Sequence, residues 1–139
     1  MELIGRKPED ISSNCFVDFF SIGHILFGYI AYMLFFSLFI FSPIIGKVEM
    51  ALFMSQNVGF LWEFLENYLL INTKFKFQGK QDCLGNSLFD IAFVTGGGFL
   101  GALTFAMPNP FMIGTLASLG LFSIFKIIEK RVMGGKKLW

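Results

Sequence analysis

The sequence predicts an all-α fold, an integral membrane four-helix bundle with its N- and C-termini cytoplasmic. Three observations predict it. The 139 residues are 55% hydrophobic and only 15% charged, against about 45–50% and about 25% in soluble domains. Four apolar stretches, each long enough as a helix to cross a hydrocarbon core of about 30 Å, are separated by polar or proline-marked breaks. The positive charge is one-sided: of the eleven Lys and Arg residues only Lys47 falls on the far side of a four-span topology, and the side rich in Lys and Arg is the cytoplasmic one.

Residues 1–15 are polar and read as an interfacial lead-in, with helix-start chemistry in Pro8-Glu9-Asp10 and Ser12-Ser13-Asn14. The first span is expected at about 16–41, ending before Pro43. The apolar run after Arg6 and Lys7 is too long for a secretory leader and lacks a small-residue cleavage site, so it reads as a retained span. The second span is expected at about 46–71, with Lys47 and Glu49 at its start and Glu63, Glu66 and Asn67 near its end. A cytoplasmic loop, 72–81, holds Lys74, Lys76 and Lys80. The third span is expected at about 82–107, the turn at Pro108-Asn109-Pro110 and the fourth span at about 111–128. A basic tail, 129–139, closes this single transmembrane domain.

Small residues mark packing faces. Gly97 and Gly101 form a GxxxG pair, and Gly114 and Ser118 share that spacing. Such faces let helix backbones approach closely in lipid, within the chain or against a protein partner or a second copy. A phosphate-binding glycine loop is disfavoured, since no Lys-Ser/Thr follows the glycines and the run is embedded in apolar sequence. The two cysteines, Cys15 and Cys83, are too few for a disulfide framework and are expected as free thiols. A net charge of +1 with no basic stripe argues against nucleic acid as a partner.

The ionisable residues converge. Asp18, Ser21 and His24 enter the first span from the cytoplasmic end, Glu63, Glu66 and Asn67 approach that end on the second, and Asp82, Asn86, Ser87 and Asp90 leave it on the third. Asp82, Asn86 and Asp90 recur every four residues and share a helix stripe, as do His24, Gly28 and Tyr32. Asp18 and Asp82 could instead serve as helix caps, where a carboxylate is favoured. Carboxylates inside a membrane are costly and need partners. A divalent cation held by His24, Glu63 and Asp90 would supply one, since carboxylate and imidazole are suitable hard or borderline ligands. Without it the acids would share protons and lock the helices together by hydrogen bonds.

Three of these elements resemble motifs of a family of small bacterial inner-membrane proteins related in pattern to the VanZ-like proteins. Asp18-Phe-Phe-Ser-Ile-Gly-His24-Ile-Leu-Phe-Gly28 is similar to its opening, Trp62-Glu63-Phe-Leu-Glu66-Asn67 to the end of its second helix, and Asp82-Cys83-Leu-Gly-Asn86-Ser87-Leu-Phe-Asp90 to the start of its third. Gln81 and Cys83 depart from the family's glycine and serine. The resemblance implies a membrane fold with a shared polar site and a place in the cell envelope.

The expected function is lipid binding. Asp18, His24, Glu63, Glu66, Asn67, Asp82, Asn86, Ser87 and Asp90 would bind a polar or phosphorylated headgroup, through a divalent cation, at the inner leaflet of a bacterial or archaeal cytoplasmic membrane. Loop lysines near an anionic surface would contribute about 1 kcal/mol each. Two alternatives use the same residues: a metal-assisted lipid-phosphate hydrolase or transferase, and a non-catalytic subunit of a larger membrane complex. A proton or ion pathway is disfavoured, because the outer half has only Lys47 and Glu49 to continue it.

Overall fold

The computed structural model describes residues 2–4, 15–18, 20–70 and 82–133. Its fold is made by four helices: α1 (Phe20–Phe39), α2 (Lys47–Phe64), α3 (Leu84–Phe105) and α4 (Pro110–Met133). Outside them, β1 (Glu2–Ile4) and β2 (Cys15–Val17) pair in parallel, Glu2 opposite Cys15 and Ile4 opposite Val17. Lys74, Lys76, Lys80, Lys136, Lys137 and the polar segment 8–14 lie outside the described residues.

Helix starts and stops follow local chemistry. The first helix begins at Phe20 rather than at 16, because residues 15–17 are strand and Asp18 makes a turn. The Asp18 Oδ1 accepts from the Phe20 N–H at 2.8 Å, and its carbonyl from the Ser21 N–H at 3.2 Å. This is the Asx-turn by which a short acidic side chain stands in for a backbone acceptor. Gly46 precedes α2 with φ of 75°, a left-handed conformation that glycine adopts without a Cβ penalty. Asn109 takes the left-handed position of the last turn with φ of 55°, and Pro110 opens α4, where its missing N–H costs nothing.

The helices pack around α1, which touches the other three; its contact with α3 is the most extensive. The reason is the absence of side chains where they cross. A Cβ at Gly28 would overlap the Val94 carbonyl, and one at Gly97 would overlap the Ile25 carbonyl. At Gly101 it would stand 2.6 Å from the Tyr32 ring, and at Gly114 2.7 Å from the Met33 methyl. The small faces at Gly97, Gly101 and Gly114 are thus occupied by α1 of the same chain, and Ser118 is half-buried. Tyr29 adds a polar tie, its hydroxyl donating to Thr104 Oγ1 at 3.2 Å.

The interior is polar and the exterior apolar. Five hydrophobic residues are buried among those described, against nine polar or charged ones. Large apolar side chains face outward along every helix, with Phe41 and Ile45 94% and 97% exposed at the α1–α2 turn. Among the described residues two helices, α1 and α3, are long and apolar enough to cross a membrane, with mean hydropathy 1.8 and 1.6. Lys47, Glu49 and Glu63 make α2 less apolar, and the apolar part of α4, Met112–Ile128, is shorter.

Candidate functional site

The polar interior is concentrated where α1 and α3 begin and α2 ends. His24 lies four residues into α1 and Asp90 six into α3, about 6 and 9 Å along the axes at about 1.5 Å per residue. Glu63 is the penultimate residue of α2. All three are buried, and each offers a donor atom within 4.8 Å of the other two. The His24 Nε2 stands 3.7 Å from Asp90 Oδ2.

Neighbours set the orientation of these groups. The Ser21 hydroxyl, one turn before His24, donates to Asp90 Oδ1 at 3.4 Å and accepts from the Asp18 N–H at 3.2 Å. Ser21 therefore links Asp18 to Asp90, a role its sequence position signals only by sharing a helix face with His24. On α2, the helix widens into a single π turn over Leu65–Leu69, closed by the Leu70 N–H on the Leu65 carbonyl at 2.8 Å. That turn carries Asn67 inward. The Asn67 amide donates to the Glu63 carbonyl (3.1 Å), to Glu63 Oε2 (3.2 Å) and to Ser87 Oγ (3.4 Å). Its oxygen accepts from the Asp82 N–H at 2.8 Å. One amide thus ties the end of α2 to the start of α3.

The remaining residues are placed less uniformly. Asp18 and Asn86 are buried; Glu66, Asp82 and Ser87 are half-buried around the rim. Asp82 is not the cap of α3. That position is held by Cys83, whose Sγ accepts from the Asn86 N–H at 3.3 Å, and the turn it makes leaves the Asp82 N–H for Asn67. The carboxylates of Asp18, Glu63, Asp82 and Glu66 all lie within coulombic reach of Asp90. Deeper in, the site is closed. Val94 is buried one turn past Asp90, its backbone against Gly28 and its side chain against Gly59, where an added Cβ would come within 2.9 Å. On that side the cluster is bounded by a close contact of three helices at Gly28, Gly59 and Val94.

Replacing Asn67 with leucine removes four hydrogen bonds and leaves the Asp82 N–H without that acceptor. The expected result is a loss of about 1–3 kcal/mol, the cost of stranding a buried polar group, measured by denaturant unfolding in detergent. An unchanged midpoint would show that the π turn is held by packing alone.

Compared with protein-family models, with curated proteins and with solved structures, the chain matches none of them, so the chemistry of the site stands on its own residues.

Proposed function

We propose that the chain is a small integral membrane protein, four-spanning with both termini cytoplasmic, that binds a polar or phosphorylated lipid headgroup at the inner leaflet through a divalent cation. The observation that carries this reading is the meeting of His24, Glu63 and Asp90, buried and from three helices, within 4.8 Å. An acid–histidine interior inside an apolar exterior is the arrangement expected where hydrocarbon is the solvent, because a charge facing lipid costs several kcal/mol. A cluster bounded on its deep side by the Val94 contact suits a headgroup reached from one leaflet. The elements that resemble VanZ-like proteins are those that carry the site, which directs the proposal to envelope lipids.

Charge favours the cation. A phosphate approaching ionised carboxylates at Asp18, Glu63, Glu66, Asp82 and Asp90 unaided would be repelled; a divalent ion on Glu63 and Asp90 neutralises two of them and offers the phosphate a direct bond. The test follows from that difference. Native mass spectrometry of the protein from mixed anionic and zwitterionic phospholipid nanodiscs is expected to show a retained phospholipid, with occupancy reduced at least about tenfold by Asp90→Asn, the size of a lost charged contact. Equal or higher occupancy in Asp90→Asn would overturn the proposal, since that is the outcome of merely relieving repulsion.

A further inference from the structure

We propose, building on that reading, that the ion is a borderline transition metal of the zinc, manganese or iron class, held by His24, Glu63 and Asp90 with one coordination position left open, and that Asn67 is its positioning residue. The donor set selects the class. Calcium and magnesium take oxygen shells, whereas an imidazole among carboxylates suits the first-row divalent ions. The spacing fits. Two ligands of a tetrahedral ion with bonds of about 2.0–2.2 Å lie about 3.4 Å apart. The His24–Asp90 separation is 3.7 Å, and no donor pair in the triad exceeds 4.8 Å, so a small rotamer adjustment closes the shell.

The charge fits as well. Two carboxylates and a neutral imidazole cancel a divalent ion, which removes the main cost of burying either. Three protein ligands leave a position for an outside oxygen. Since Val94 and the glycines beside it close the deep side, that position faces the Asp18–Ser87 rim. A phosphate oxygen or a water arriving from the leaflet surface would complete the shell. Ligands of such ions are oriented by outer hydrogen bonds. Here Ser21 holds Asp90 Oδ1 and Asn67 holds Glu63 Oε2.

The experiment is metal titration of the chelator-stripped full chain in detergent, with zinc, manganese, magnesium and calcium salts, alongside elemental analysis of the protein as purified. The expected result is one equivalent of a transition ion per chain, bound at least about a hundredfold more tightly than magnesium or calcium. Asn67→Ala is expected to weaken it about 10- to 100-fold, the range for outer-shell ligand partners. It should also alter the visible spectrum of the cobalt-substituted protein, which a purely structural role for Asn67 would leave unchanged. Magnesium or calcium binding as tightly as zinc, or no stoichiometric ion while phospholipid is still retained, would overturn the assignment. A stoichiometric transition ion without retained phospholipid would leave the ion site standing and remove the headgroup.

Discussion

Gly28→Ala is expected to abolish the close packing of α1 on α3. The added methyl would overlap the carbonyl oxygen, carbonyl carbon and Cα of Val94. Backbone atoms cannot rotate away as a side-chain tip can, so the two helices must separate along their length. The reciprocal position behaves alike: a Cβ at Gly97 meets the Ile25 carbonyl and the Tyr29 amide. Overpacking a well-filled interior usually costs about 1–3 kcal/mol. A backbone clash in the most extensive helix contact belongs at or above the top of that range. The control is Gly96→Ala on α3, beside Gly97. Gly96 is exposed, with nothing within 4 Å of its would-be Cβ, and exchanging a helical glycine for alanine there should gain about 0.5–1 kcal/mol. Thermal unfolding and gel filtration in detergent would separate the pair. A Gly28→Ala protein as stable as Gly96→Ala would mean that α1 and α3 do not approach at these glycines.

That crossing was legible in one dimension, and the reason is physical. A glycine between large apolar residues on a stripe with His24 and Tyr32 has no purpose on a lipid-facing surface, whereas at a crossing it sets the interhelical distance. The helices themselves were legible because hydropathy and proline report the solvent and the backbone directly. What escaped the pattern depends on a few atoms. The start of α1 is set by an Asx-turn at Asp18 after a short strand pairing, which periodicity over three residues does not register. Cys83 rather than Asp82 caps α3, a choice between neighbours that both offer an acceptor. The π turn at Leu65–Leu69 adds one residue to a turn, which hydropathy does not detect, yet it is what swings Asn67 toward Glu63 and Ser87. The pattern placed acids and histidine at the same end of three helices; the 3.7 Å between His24 and Asp90 arises from how those helices rotate about their axes.

The second large effect separates a ligand site from a polar lock. Single replacement of Asp90 by alanine removes the acceptor of Ser21 and the carboxylate facing His24 while both stay buried. Breaking one member of a buried charged set typically costs about 3–5 kcal/mol. Replacing the whole set is different. In His24→Leu/Glu63→Met/Asp90→Ala no buried charge of the triad is left to solvate, the summed volume is close to conserved, and the helices still meet through Gly28, Gly59 and Gly97. Apolar replacement of complete buried ionic clusters is often neutral or stabilising by about 1–4 kcal/mol. The expected result is therefore a triple variant at least as stable as the original protein and well above the single variant, which has lost all metal and headgroup binding. Equilibrium unfolding in mixed detergent, with elemental analysis of the same samples, reads both quantities. If the three groups exist to hold the helices together, the triple variant must fall below the single one, because it has given up every bond that the single variant only partly lost. Stability retained and binding lost together would mean that the chain carries these buried groups for what they hold, since its helices do not need them to stay together.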